Sequence, residues 1–197
     1  MIPKVIKSKN DLKQFIRQDQ IARGIKTNTL AQKLKQFIYT DPTWKFQKKL
    51  RQVEYYHNKR KNLFQWIYYY YLEYRYKKLS IALGFTIPKN IFGPGLSIPH
   101  YGLIIINSRT KIGKNCRIHS GVNIGASGGV PNAPVIGDNV YIGPGAKIYG
   151  DIQIPNNTVI AANACVNKSF YEENTILGGI PAKKLKTIDI TSILKHI

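Results

Sequence analysis

The sequence predicts an α+β chain in which an N-terminal helical segment leads into a left-handed parallel β-helix built on a hexapeptide repeat. Two observations carry this. From Ile106 to Val166 every sixth residue is Ile or Val, a period that fits neither a helix of about 3.6 residues per turn nor an alternating strand. Before Gly84 the apolar residues recur instead at three- and four-residue spacing, the mark of amphipathic helices. The expected divisions are a helical segment 1–84, a β-helix 85–187 and a tail 188–197.

In the first segment, Ser8-Lys9-Asn10-Asp11 has the form of a capping box, in which the serine oxygen and the later acid satisfy amides at a helix start. Asp41-Pro42 is a second start signal, an acceptor followed by a proline whose missing N–H costs nothing there. From Trp44 the residues Phe46, Leu50, Val53 and Tyr56 mark one amphipathic helix. Another run spans Leu63 to Leu83 and meets Gly84, a good residue just past a helix end. Tyr68-Tyr69-Tyr70-Tyr71 lies inside that run, so tyrosine occupies more than one helical face. Packing against the protein or a sister subunit is one reading; contact with a membrane surface or a lipid-linked substrate is the other.

In the second segment the column reads Ile106, Ile112, Ile118, Ile124, Val130, Ile136, Ile142, Ile148, Ile154, Ile160, Val166, with small or turn-forming residues after many of them. A short strand plus a tight turn, three to a triangular coil, stacks such positions into one apolar column. The phase extends back to Ile98 and Phe92, with two extra residues between Ile98 and Ile106. The tract Ala126–Pro134 keeps the count, but its glycines and prolines suggest a loop pushed out from a corner.

The composition bounds the partners. The 197 residues are 43% apolar and 11% aromatic, which suits a packed fold, and carry a net charge of +20. Such charge points to nucleic acid, a membrane surface or phosphate-bearing molecules. It is uneven: 19 of the 30 Lys and Arg fall in residues 1–85, as do 9 of the 13 tyrosines. Two cysteines, Cys116 and Cys165, exclude a disulfide scaffold and suit a reducing compartment. The N-terminus lacks the apolar stretch of a signal peptide, and no apolar run reaches the roughly 18 residues of a spanning helix. A cytoplasmic location is expected, with the inner face of the membrane as the alternative.

The stretch Ile98-Pro-His-Tyr-Gly-Leu103, the hexads that follow to Gly150, then Ala161-Ala-Asn-Ala164 and Gly178-Gly-Ile-Pro-Ala-Lys183, resembles bacterial serine acetyltransferases. The resemblance is closest to their relatives in surface-polysaccharide gene clusters, and it covers residues 85–187 most strongly. It implies transfer of acetyl from acetyl-CoA to a hydroxyl, in a homotrimer or a dimer of trimers with sites between subunits. It implies no resident cofactor, acetyl-CoA being the donor substrate.

His100, in the two-residue insertion, is the candidate general base, because acyl transfer to an alcohol requires a proton acceptor that works near neutral pH. His119 lies one coil further on, since Ile118 stacks over Ile98; it serves either the same groove or a turn hydrogen bond. With two plausible histidines and no nearby carboxylate, no metal site is expected. For coenzyme A the small residues Gly125-Ala126, Gly143-Pro144 and, on the next coil, Ala161-Ala162 allow backbone to approach the pantetheine arm in a groove between adjacent β-helices. Lys168 and Lys183, with Lys184 and Lys186, offer charge for its phosphates. Cys116 is expected to fill core.

The departures from the family bear on the acceptor. The family's catalytic histidine follows an aspartate, and a second aspartate opens an earlier Asp-Ile-His-Pro motif; these positions read Pro99 and Phe85. The family's Gly-Asp-Arg-His-Pro loop, whose arginine grips the serine carboxylate, reads Gly129-Val-Pro-Asn-Ala-Pro134, with Asn132 for the arginine. Asp41 is the one match to an acceptor-binding Asp-Pro, and a helix cap is its other reading. The expectation is therefore O-acetylation of a sugar in a surface polysaccharide or its lipid- or nucleotide-linked precursor, with serine O-acetylation as the alternative. A nucleic-acid binder is set aside, because binding alone needs neither His100 nor a donor groove.

Overall fold

A computed structural model describes residues 5–26, 29, 32, 34, 38, 41–129 and 131–197. Helix α1 (Lys9–Ala22) starts with the capping box: Asp11 N donates to Ser8 Oγ at 3.0 Å and Ser8 N donates to Asp11 Oδ2 at 3.0 Å. Helix α2 (Pro42–Lys59) is capped by Asp41, whose Oδ1 accepts from Thr43 N at 2.8 Å and Trp44 N at 3.0 Å. Helix α3 (Leu63–Leu83) stops at Gly84, which takes the left-handed conformation at φ 75°. That conformation costs a side-chain-bearing residue more than glycine, so the helix ends there.

The chain then runs through short strands: β1 (Phe85–Thr86), β2 (Ile104–Ile106), β3 (Lys111–Ile112), β4 (Arg117–Ile118), β5 (Asn123–Gly125), β6 (Val135–Ile136), β7 (Tyr141–Ile142), β8 (Lys147–Tyr149), β9 (Gln153–Ile154), β10 (Val159–Ile160), β11 (Cys165–Val166), β12 (Thr175–Gly178) and β13 (Lys183–Thr187). They pair into three sheets, β1-β2-β5-β8-β11, β3-β6-β9 and β13-β12-β10-β7-β4, parallel except for the antiparallel β12–β13 pair. Each sheet is one face of a coil, here called the first, second and third face. Inward residues such as Ile118, Ile142 and Ile160 are fully buried and join one core cluster with Phe46, Leu50 and Val53 of α2. At the corner between the second and third faces, Asn115, Asn139 and Asn157 sit at φ 54–57°. Their amides form a ladder: Asn115 Nδ2 donates to Asn139 Oδ1 at 2.8 Å, and Asn139 Nδ2 to Asn157 Oδ1 at 2.9 Å. Asparagine tolerates this backbone region, and the ladder links its side chains from coil to coil.

The tract Ala126–Pro134 changes the register. Val135 pairs with Gln153, 18 residues on, but Arg117 pairs with Tyr141, 24 residues on. The described residues between Gly125 and Val135 form no strand, so this stretch adds no rung; Val130 lies outside the described residues. Positions before the loop are thereby moved one face relative to a constant six-residue count.

The helices close the open end of the first coil. Gln47 presents its side-chain amide as a strand edge, donating to Leu96 O at 2.6 Å and accepting from Ile98 N at 3.0 Å. Asp19 Oδ1 accepts from Gly95 N and Leu96 N, both at 2.8 Å. Arg51 donates to Asp19 at 2.8 and 3.2 Å, to Glu54 at 3.0 Å, and to the carbonyls of Phe92 at 3.1 Å and Gly93 at 2.7 Å. All three charged side chains are buried. Burial works against the Arg51 charge, but Asp19 and Glu54 outweigh it and hold its pKa above the ordinary guanidinium value. Unpaired backbone groups at a coil end are costly when buried, and this network satisfies them.

The C-terminal tail folds back on the third face. Ile190 and Leu194 pack with Val159, beside Tyr141 and Ile176. A short 3₁₀ turn, Ile190–Ser192, is capped by Asp189.

Candidate functional site

The edge between the third and first faces carries the site. Here the segment Pro99–Leu103 widens the first coil, because Ile118 lies above Ile98, 20 residues apart, through the Ser97–Arg117 bridge. The widening is tied to the end of α3: Gly102 N donates to Leu83 O at 3.0 Å and Ile104 N to Gly84 O at 3.1 Å. Gly102 has φ 121° and lies 3.2 Å, measured from where a Cβ would stand, from Ser120 Cβ. His100 is thereby held out to solvent. Its ring centroid is 5.9 Å from that of His119 on the next coil, and His119 in turn is 5.1 Å from Tyr141. Gly143-Pro144 and Ala161-Ala162 follow on the same edge, each coil over the last. Gly143 is fitted to its neighbour, since a Cβ there would come within 2.7 Å of Ala162 N.

Below His100, the Ile98 carbonyl is the point where helical segment and coil meet. Arg23 Nη1 donates to it, and the Thr43 hydroxyl lies 2.8 Å from it and 2.6 Å from Asp41 Oδ1. Arg23 Nη2 also donates to Asp41 at 3.2 Å. Burial alone would raise the Asp41 pKa, but the Thr43 hydroxyl, the Trp44 amide and Arg23 together hold it below the ordinary carboxylate value. Burial lowers the pKa of Arg23, partly offset by Asp41. Asp41 is thus both a helix cap and a charged neighbour of the His100 segment.

Two further residues join this region that sequence reasoning missed. Arg117 points outward from β4, and the tail brings His196 against it. Burial, then Arg117 and His100, push the His119 pKa down to about 4. Burial and Arg117 also lower that of His196. The Nε2 atoms of His119 and His196 and the Nε of Arg117 are buried without a hydrogen-bond partner among the described residues. No motif surrounds His196 in the sequence; only the packing of Ile190 and Leu194 on Val159 carries it there. His100 has no hydrogen-bond partner among the described residues.

The other expected residues lie elsewhere. Because of the extruded loop, Gly125 stacks beneath Tyr149 and not beneath Gly143, so Gly125 and Ala126 stand at the edge between the first and second faces. The three small-residue pairs therefore stand on two edges of one coil, Gly143-Pro144 and Ala161-Ala162 on one and Gly125-Ala126 on the other. Asn132 stands at the Gly125 edge as well, donating to Asp151 Oδ2 at 2.8 Å, in a cavity of about 400 Å³ shared with Arg109 and Lys111. Within one chain Asn132 is therefore remote from the His100 edge. Lys168 is also at this edge, its Nζ 5.6 Å from the Phe170 ring centroid. Lys183 lies on β13, exposed along its whole length, where Lys184 pairs with Glu172. Burial raises the thiol pKa of Cys116 far above its ordinary value, which leaves it inert core. Among the described residues no three His, Cys, Asp or Glu side chains are grouped as a metal ion requires.

The described chain is thus a three-faced coil, parallel but for its last strand pair, with helices at its first turn and an exposed histidine at a widened corner. Residues 133–168 match the family model for the bacterial transferase hexapeptide, six repeats. Among curated relatives, a serine acetyltransferase of Staphylococcus aureus is 38% identical over 110 residues, 55% of this chain and 49% of its own. One of Mycobacterium tuberculosis is 34% identical over 93 residues, 46% of this chain and 41% of its own. The chain thus spans about half the length of the curated relatives it matches. Among solved structures, the serine acetyltransferase of Brucella abortus in complex with coenzyme A superposes with a TM-score of 0.69 at 23% identity, covering 92% of this chain and 70% of that one. That of Neisseria gonorrhoeae gives 0.68 at 24% identity, covering 93% and 69%. At these identities the structural likeness is one of fold.

Proposed function

We propose that this chain is an acetyl-CoA-dependent O-acetyltransferase with His100 as general base. The observation that carries the reading is the exposed imidazole at the widened corner of the coil, on the edge that also bears Gly143-Pro144 and Ala161-Ala162. The matches to serine acetyltransferases support it. In this reading the neutral imidazole takes the proton of the acceptor hydroxyl as its oxygen attacks the thioester carbonyl. The tetrahedral intermediate then collapses by breaking the C–S bond, and the imidazolium returns the proton to the departing thiolate. The coil is left-handed, and the assembly is a trimer or a pair of trimers. One subunit's Gly125, Ala126, Asn132 and Lys168 then face the next subunit's His100 edge, with Lys168 and Lys183 toward the coenzyme A phosphates. The separation of these residues onto two edges of one chain supports that sharing.

For the acceptor, serine is the better supported choice. The curated relatives quoted above are serine acetyltransferases, and the region around His100 carries a half-exposed carboxylate, Asp41, and the guanidinium of Arg117 beside His119. These suit an ammonium and a carboxylate through charge-assisted contacts. They weaken the argument from Asn132, which assumed that the loop arginine had no substitute. A neutral sugar hydroxyl is the second reading, favoured by Pro99 where an acid is expected beside the base. The test is release of free thiol from acetyl-CoA with L-serine and with a panel of sugar-bearing precursors. Serine turnover with kcat/KM of about 10⁴ M⁻¹s⁻¹ or more is expected, and turnover of sugars alone would select the second reading. His100→Ala should lower kcat by about 10²–10⁴-fold with little change in acetyl-CoA affinity. Near-normal turnover by that variant would remove His100 from the mechanism.

A further inference from the structure

Helix α3 has two apolar faces and only one of them is covered. Tyr69, Leu72, Tyr76 and Leu83 are buried against α2 and the coil. On the opposite side Leu63, Ile67, Tyr70, Tyr74 and Ile81 form a single stripe at helical spacing, and they are 71%, 60%, 61%, 57% and 82% exposed. A helix apolar on all sides is expected to be covered on all sides, and this one is not among the described residues.

The charge around the stripe has one sign. Arg75, Lys77 and Lys78 are exposed on α3, while its one acid, Glu73, is turned away to Lys89 at 2.9 Å and is only 14% exposed. Beside the stripe, a groove between α2 and α3 is lined by Lys45, Lys49, Arg75 and Lys78, with no carboxylate among the described residues. Burial and then the neighbouring cations Arg75, Lys45 and Lys48 lower the Lys49 pKa. Lys78 also lies over a ring of the stripe, 5.4 Å from the Tyr74 centroid, and Arg75 lies 5.8 Å from that of Tyr71 beside it.

We propose that this face docks on an anionic lipid bilayer, α3 lying in the interface with its aliphatic and tyrosine stripe at the acyl boundary and the α2–α3 cations on lipid phosphates. The amphipathic tyrosine ring suits that boundary, and basic residues beside an apolar helix face suit an anionic surface. No described helix is long and apolar enough to cross a membrane. Pairing of α3 with a second copy of itself would set like charges together with no exposed acid on the helix to answer them. The inference stands apart from the acceptor and from the chemistry at His100.

The test is co-sedimentation of the full chain with vesicles of phosphatidylcholine containing phosphatidylglycerol, against pure phosphatidylcholine vesicles. Binding to the anionic vesicles alone is expected, weakening as salt rises from about 0.1 to 0.5 M because surface charge is screened. Ile67→Ser/Tyr74→Ser, at exposed positions that leave the core untouched, should lower partitioning by about tenfold or more. Lys45→Gln/Lys49→Gln/Lys78→Gln should do the same by removing the phosphate contacts, with circular dichroism unchanged in both variants. No binding to anionic vesicles, equal binding to neutral ones, or binding that neither variant alters would overturn the proposal. Sedimentation velocity showing that Ile67→Ser/Tyr74→Ser halves the mass of the assembly would assign the face to a second copy instead.

Discussion

Arg51→Met tests how the helical segment and the coil are joined. Methionine keeps most of the side-chain volume and removes the charge. Arg51 is fully buried and donates to two carboxylates and two backbone carbonyls. Its loss leaves Asp19 and Glu54 buried without their cation, and breaking one partner of a buried ion pair costs about 3–5 kcal/mol. Since domains are stable by only about 5–15 kcal/mol, the effect should be plain in urea unfolding followed by tryptophan fluorescence. One fixed subunit concentration is required, because assembly contributes to apparent stability. The deficit should depend on pH. Burial already raises the pKa values of Asp19 and Glu54, against the pull of Arg51. Without that pull the folded variant binds protons that the unfolded chain does not, so its stability falls as pH rises. The deficit should be larger at pH 8 than at pH 5. Asp19→Asn/Arg51→Met/Glu54→Gln, with no buried charge, should be more stable at pH 8 than Arg51→Met alone. A loss below about 1 kcal/mol, the scale of an exposed pair, or a deficit equal at both pH values, would refute the reasoning.

Two other outcomes follow from the region around His100. The His119 pKa is lowered to about 4, against about 6.5 unfolded. Its neutral form therefore favours the fold above pH 6.5, and that contribution is lost as pH falls toward 4, where the unfolded chain binds the proton first. His119→Gln should flatten this part of the stability profile, and a profile of unchanged slope would count against the environment described here. Leu194→Ala removes a buried anchor of the tail, a change that typically costs about 2–5 kcal/mol in a core. Hydrogen exchange should quicken at the Leu194 amide, which donates to Ile190 O at 2.9 Å, and not at core amides of β7. Equal protection in both proteins would mean that Leu194 does not hold the tail.

The local signals were written plainly in the chain. Ser8 with Asp11, Asp41 before Pro42, and Gly84 after Leu83 each set a helix boundary, because capping is settled by residues within one turn of each other. The six-residue column likewise follows from each strand and turn by itself, and the inward positions from Ile98 to Val166 that are described are buried. The amide ladder of Asn115, Asn139 and Asn157 is also present in the spacing, at multiples of six, but as polar residues at turns these asparagines carry no hydrophobic periodicity. What the sequence alone did not decide was everything that depends on pairing across distance. Whether a hexad becomes a rung is determined by the strand beneath it, so the loop at Ala126–Pro134 kept the count and still moved Gly125 from beneath Gly143 to beneath Tyr149. The joining of Asp19 to Gly95 and Leu96, and of Arg51 to Phe92 and Gly93, spans 76 or 77 and 41 or 42 residues. A charged residue there reads as solvated surface until the coil end that it satisfies is built. His196 reaches Arg117 for the same kind of reason: the Leu194 anchor finds its partner Val159 only on the assembled third face, where local spacing carries no information.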